Sequence, residues 1–196
     1  MMYESFDSEG IVEFVREHKL YYAFRLYNKK ETARFDFEKK RETASLETAK
    51  GLLADLFTPE STVALLFYGY DHKIINDFGR WNRDIGKYFR IGSVKRMSKR
   101  EYYFTGDKVF DKDNNPYFVL GMTRYKNIKI DKYLQDLFNN RCDGFLCFMS
   151  LKKGVALNFY DERGCDLFVG DDPELLKLIV EAHKDYLLEM GDDSSK

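Results

Sequence analysis

The run Gly154-Val155-Ala156-Leu157-Asn158-Phe159-Tyr160-Asp161-Glu162-Arg163-Gly164-Cys165-Asp166-Leu167-Phe168-Val169 decides how this chain is read. Val155, Leu157 and Phe159 alternate with Ala156, Asn158 and Tyr160, the period-two pattern of a pleated strand. Asp161-Glu162-Arg163-Gly164 interrupts it with turn residues, Gly164 being the expected supplier of a positive φ. Cys165 to Val169 then returns as a second short strand, so the stretch predicts a hairpin. Gly170-Asp171-Asp172-Pro173 opens a helix expected to run to about Met190. Asp172 sits at the N-cap, Pro173 at the first helical position where its missing N–H costs nothing, and Glu174 near the positive helix end. Leu176, Val180, His183, Leu187 and Met190 share a face widened by Leu175, Ile179 and Tyr186, and Gly191 stops the helix.

Upstream, Ile11, Val12, Phe14 and Val15 predict a short first helix. Leu20 to Tyr27 and Ala33 to Glu38 read as strands of a hairpin about Asn28-Lys29-Lys30. Leu46, Ala49, Leu53 and Leu56 step at three and four residues, a helix that must stop before Thr58-Pro59. Val63 to Tyr68 is nearly all apolar and reads as a central strand buried on both faces. Between Asp71 and Ser98 the periodicity weakens, and irregular structure with a short helix at Ile74 to Phe78 is expected. Glu101 to Phe110 and Tyr117 to Tyr125 follow as aromatic strands. Ile130, Tyr133, Leu134, Leu137 and Phe138 mark a helix, and Phe145 to Ser150 returns to strand. Hairpins with helices between them, rather than strict strand-helix alternation, predict an α+β fold: a largely antiparallel sheet with helices packed on it, ending in a hairpin and a C-terminal helix.

A chain of 196 residues can bury one real core, so residues 1–196 are read as a single domain with a frayed tail at 192–196. A content of 44% hydrophobic residues and only 3 Pro places it among globular rather than disordered chains. Lys and Arg number 32 against 33 Asp and Glu, so any attraction to nucleic acid must be local, and none to a membrane is expected. Met1-Met2-Tyr3-Glu4-Ser5 lacks the basic and apolar regions of a signal peptide. No apolar run approaches the roughly 18 residues of a membrane helix, so a cytoplasmic location is expected. Cys142, Cys147 and Cys165 are odd in number and lack a Cys-x-x-Cys pair, which suits reduced, buried thiols.

Two constellations carry potential function. Asp161, Glu162, Arg163 and Asp166 bracket an arginine with carboxylates at the hairpin, a set suited to contacting a partner or ligand. The same residues also serve a plain turn, because Asp bonds its own backbone and Arg163 can bridge to Asp161 or Asp166. Lys87, Arg90, Lys95, Arg96, Lys99 and Arg100 run without an acid, interleaved with and followed by Tyr88, Phe89, Tyr102 and Tyr103. That is the footprint of single-stranded nucleic acid or of an acidic partner, and equally of a solvated strand edge.

No metal or cofactor is expected. Asp111-x-Asp113-x-Asn115 opens like a calcium loop, but Pro116 stands where the loop needs glycine and Met122 where it needs a bidentate glutamate. His18, His72 and His183 lack second ligands at metal spacing, Cys142 and Cys147 lack the partners of a zinc site, and neither a phosphate loop nor a nucleophile elbow occurs.

Tyr160-Asp161-Glu162-Arg163-Gly164-Cys165-Asp166 resembles the tyrosine, acid, acid, arginine, glycine, any residue, aspartate signature near the C-terminus of a bacterial family catalogued as domain of unknown function 3885. Glu162 stands where that family more often has a second aspartate, and the family's usual tryptophan in the last helix is not found at Tyr186 or Leu187. Arg34-Phe35-Asp36-Phe37, the strand at Val63 to Tyr70 and Asp143-Gly144-Phe145 follow the order of its elements. The resemblance implies no established activity. Function is therefore expected to be non-enzymatic protein interaction, of the toxin-neutralising (immunity) kind. The alternatives are nucleic-acid binding through residues 87–103 and hydrolysis by the carboxylates of residues 161–166.

Overall fold

The structure is a computed structural model that describes residues 32–37, 42–69, 87–89, 93–96, 117–139, 141–142, 145–170 and 172–188. Along these residues run β1 (Thr32–Asp36), α1 (Glu42–Leu56), β2 (Thr62–Gly69), β3 (Ser93–Arg96), β4 (Tyr117–Arg124), α2 (Ile130–Phe138), β5 (Phe145–Ser150), β6 (Val155–Asp161), β7 (Gly164–Val169) and α3 (Pro173–Ala182). Alternation at Val155 to Phe159 becomes β6, which folds back on β7 as the expected hairpin, Leu157 facing Leu167 and Phe159 facing Cys165. A register shift between Phe159 and Asp161 places a bulge beside the turn, the device that bends and twists a strand at its end. The described strands form one sheet in the order β1-β7-β6-β5-β2-β4-β3. Every neighbouring pair is antiparallel, so the α+β architecture stands as the residue pattern predicts.

The three helices cover one face. α1 buries Ala49, Leu52, Leu53 and Leu56, α2 buries Tyr133, Leu134 and Leu137, and α3 buries Leu176 and Ile179. They share a core with Phe35, Val63, Leu65, Leu146, Phe148, Leu157, Phe159 and Leu167 of the sheet. The ring of Tyr133 meets Phe148 and Phe159 edge-on at 5.8 and 6.2 Å. Burying one such side chain contributes about 1.5–3 kcal/mol, which is why this face outweighs any local propensity. α1 ends where Thr58-Pro59 requires it, and the Lys153 ammonium donates to the Leu56 carbonyl at 2.7 Å, satisfying a terminal acceptor. The opposite face of β5 to β7 is buried as well: Cys147, Met149, Ala156, Asn158, Asp166 and Phe168 are all within a few per cent of complete burial. The alternation along β6 therefore separates two interior faces rather than an inside from an outside. One is lined by large apolar side chains, and the other mixes apolar with small and polar ones.

Three expectations are corrected or relocated. α3 ends at Ala182, not near Met190; His183 closes it at φ −119°, and a 3-10 turn covers Lys184–Tyr186. Leu187 then bridges to Phe35, and the Leu188 N–H donates to the Arg34 carbonyl at 2.9 Å. The chain leaves the helix because these backbone groups find partners on β1. β3 forms at Ser93–Arg96, inside the stretch expected to be irregular, because β4 offers it a ladder from Ser93 against Met122 to Arg96 against Val119. β1 lies against β7, Phe35 facing Cys165, and its expected hairpin partner at Leu20 to Tyr27 lies outside the described residues. The positive φ expected at Gly164 occurs instead at Gly154, φ 60°, which closes the 3-10 turn Leu151–Lys153 before β6. The expected helices at Ile11 to Val15 and Ile74 to Phe78, the strands at Leu20 to Tyr27 and Glu101 to Phe110, and the tail at 192–196 lie outside the described residues.

Candidate functional site

The β6–β7 hairpin presents Glu162 and Arg163 at its turn, Glu162 half-buried and Arg163 exposed. The turn is tied down from the side: the Phe37 N–H donates to the Arg163 carbonyl at 2.7 Å, continuing the β1–β7 ladder past Asp36 and Gly164. Phe37 is itself fixed by the Ser45 hydroxyl, which donates to the Phe37 carbonyl at 2.9 Å, and by rings of Phe138 and Tyr186 at 5.6 and 6.2 Å. The tip is thus a charged turn on a rigid base, the arrangement that costs least to order when a partner docks. Asp161 ends β6, and its side chain lies outside the described residues.

Asp166 is in a different environment from the turn. It sits within β7, its carboxylate is 0% exposed, and the Arg34 guanidinium grips both oxygens, Nε to Oδ1 at 2.6 Å and Nη2 to Oδ2 at 2.9 Å. This fork-to-fork pair is the strongest geometry an arginine and a carboxylate adopt. The structure therefore brings Glu162 and Arg163 together and separates Asp166 from them, giving it to Arg34, a residue 132 positions away. Across the same face, Asn158 is in register with Asp166 and with Cys147, so a buried polar row crosses β7, β6 and β5 and ends at partly exposed Arg34 of β1. Burial, and then the charge of Asp166, push the Cys147 and Cys165 thiols far above their usual range. Thiols so held are protonated and inert as nucleophiles. The three cysteines are free, as the odd count leads one to expect.

Of the basic segment, Lys87 is exposed in a turn beside buried Tyr88 and Phe89. Lys95 and Arg96 are adjacent positions of β3, in register with Leu120 and Val119 at the end of the described sheet. Arg90, Lys99 and Arg100 lie outside the described residues, as do His18, His72 and the calcium-like segment at 111–115. Among the described residues no group of three His, Cys, Asp or Glu is placed to hold a metal ion.

Two polar clusters escape the sequence reading. The Tyr88 hydroxyl donates to Asp136 Oδ2 at 2.7 Å and lies 3.7 Å from the Cys142 sulfur, while Lys132 reaches the same carboxylate at 2.9 Å. Burial, reinforced by these partners, holds the Tyr88 phenol far above its ordinary pKa, and the Lys132 ammonium, with help from Tyr88, holds Asp136 below its own. The second cluster joins His183 to Asp55, Nε2 to Oδ2 at 2.8 Å. Its signal in the sequence is Gly51, a helix interior glycine one turn from Asp55: a Cβ there would stand 3.0 Å from the His183 ring.

The family described as domain of unknown function (DUF3885) matches residues 11–191. The chain belongs to this family. No curated protein and no solved structure matches. In this DUF3885 chain the family resemblance read from Tyr160 to Asp166 spans two environments, the exposed turn and the buried Arg34–Asp166 pair. No helix among the described residues is long and apolar enough to cross a membrane.

Proposed function

We propose that this chain is a single-domain cytoplasmic protein that works by holding a protein partner, of the toxin-neutralising kind, and that Glu162 and Arg163 with Asp161 form part of its contact surface. The observation that carries this reading is the division of the charged residues. Asp166 is fully buried with both oxygens engaged by Arg34, while Glu162 and Arg163 stand on a tip whose backbone is fixed by Phe37. A hydrolase needs a carboxylate free to exchange protons with substrate, and this pair withholds one from the 161–166 set. A binding surface needs only pre-positioned charge, which sets specificity and encounter rate without a reacting group.

The test first asks whether a secreted toxin is encoded beside the gene, and titrates the purified chain calorimetrically with any such toxin found. Glu162→Gln keeps the size and hydrogen bonding of this half-buried side chain, so it should leave stability within about 0.5 kcal/mol yet weaken binding. Arg163→Lys should do the same, because lysine keeps the charge and loses the planar fork. Unchanged binding by both variants refutes the assignment of the turn. A second reading, nucleic-acid binding through Lys87, Arg90, Lys95, Arg96, Lys99 and Arg100, is favoured by Lys95 and Arg96 lying on a strand at the end of the described sheet. It would give steeply salt-dependent binding of a single-stranded oligonucleotide, removed by alanine at Lys95, Arg96, Lys99 and Arg100.

A further inference from the structure

At the end of the sheet away from the hairpin tip, β2 begins, β4 ends and β5 turns toward β6. Thr62 there faces Arg124, and Leu151, two residues past the pairing of Met149 with Ala64, comes level with Thr62. With strands about 4.8 Å apart, that register sets the backbone of Arg124 roughly 10 Å from the turn that bears Lys152 and Lys153. The loop leaving α1 lies across the same end and collects the cations. Arg124 Nη1 donates to the Glu60 carbonyl at 2.7 Å, Lys126 Nζ reaches the two Glu60 carboxylate oxygens at 2.8 and 3.0 Å, and Lys153 Nζ donates to the Leu56 carbonyl at 2.7 Å. The loop is itself fixed: the Tyr125 and Lys126 N–H groups donate to the Ser61 and Pro59 carbonyls at 2.9 and 3.1 Å, and the Tyr125 ring stacks on Phe57 at 5.7 Å. Arg124, Lys126, Lys152 and Lys153 are all exposed, and among the described residues Glu60 is the one carboxylate bonded to them. Asp131 and Asp172, on adjoining elements, are engaged by Lys50 and by the Leu175 N–H. The tethers of Arg124 and Lys153 end on carbonyls, which hold a cation in place without cancelling its charge.

We propose that this platform is a second contact surface, on which Arg124, Lys126, Lys152 and Lys153 receive an acidic segment of a partner protein. Each cation keeps donors beyond those its tether uses, and a guanidinium grips a carboxylate with two parallel bonds. Side chains already ordered by the loop lose less freedom on docking than free ones do, and complementary charge fixes which partner is accepted. Carboxylates rather than a nucleic acid are favoured by the ring set among these cations. Tyr125 is half-buried and stacked at 27° on Phe57, so among the described residues the platform has no run of open rings on which bases stack. This surface presupposes a protein partner, as the proposed function does. It stands at the other end of β6 from Glu162 and Arg163, however, and works whether or not the turn does.

The experiment titrates an oligoglutamate peptide calorimetrically into the full chain at low salt, with far-UV circular dichroism and a cooperative melt to show that each variant is folded. Saturable binding is expected, weakened at least tenfold by Arg124→Gln combined with Lys126→Gln. Lys152→Gln, which disturbs no tether, should weaken it at least twofold. Lys177→Gln combined with Lys184→Gln removes as much charge from exposed positions on and just after α3 and should leave the affinity within twofold. Glu162→Gln and Arg163→Lys should leave it within twofold as well, so that failure of the platform and failure of the turn are told apart. The proposal is overturned if the peptide does not bind saturably, or if the Lys177 and Lys184 pair weakens it as much as the Arg124 and Lys126 pair. It is overturned too if a single-stranded oligonucleotide of equal charge binds more tightly than the peptide with the same dependence on Arg124 and Lys126.

Discussion

Replacing Asp166 by Asn should destabilise this chain far more than any change at the hairpin turn. The carboxylate is completely buried and shares two short bonds with Arg34, whose side chain is 25% exposed. Removing one partner of a fully buried pair costs about 3–5 kcal/mol, because a charge is left uncompensated in a poorly polarisable interior. The quarter exposure of Arg34 lets water recover part of that, so about 2–4 kcal/mol is expected here. Asn keeps the shape and one acceptor but turns an amide N–H2 toward the guanidinium, so it cannot reproduce the fork. The measurement is urea unfolding of Asp166→Asn, Arg34→Met and the double variant, closed as a cycle. A coupling of about 2 kcal/mol or more between the two sites is expected, since they share one bonded pair. A folded Asp166→Asn chain with parental stability and a coupling below about 0.5 kcal/mol would refute the structural role. It would return Asp166 to the set of residues free to meet a ligand.

Two further outcomes follow from the protonation states. Iodoacetamide at neutral pH should label half-buried Cys142 first and leave Cys147 and Cys165 unmodified until the chain unfolds, since burial holds both as thiols; early labelling of Cys147, read by peptide mass spectrometry, would contradict this. Tyr125 is pushed up to about 12 by burial, with the Asp131 charge adding to it, and Tyr88 is raised further. The native state therefore keeps protons that the unfolded state loses near pH 10. Stability is full below about pH 10 and falls as pH rises through about 12, a slope that urea midpoints at intervals across that window will register or deny.

The strands and helices were legible wherever one physical pattern dominated. Period two at Val155 to Phe159, three-and-four spacing at Leu46 to Leu56 and the cap at Asp172 each fix an element, and the Asp172 carboxylate does accept the Leu175 N–H at 2.9 Å. The end of α3 was not legible, because Leu187 continues the helical spacing as well as it fits a bridge to Phe35. Which one wins depends on β1, a strand some 150 residues earlier in the chain. β3 was hidden for the same reason: Ser93-Val94-Lys95-Arg96 has little strand character of its own and is a strand because β4 lies beside it.

The candidate site divides along the same line. A turn is a local object, so Asp161-Glu162-Arg163-Gly164 announces itself, and the residues found at the tip are those the sequence placed there. Asp166 looks like a member of the same group because it is three residues from Arg163, yet in a strand each residue faces away from its neighbours, and position along the strand decides its surroundings. Arg34 is opposite Asp166 only through the antiparallel register of β1 on β7, in which Phe35 meets Cys165 and the two charged residues must then meet each other. Proximity in sequence thus grouped these charged residues, and pairing across strands set Asp166 in a buried bond, apart from Glu162 and Arg163 at the turn.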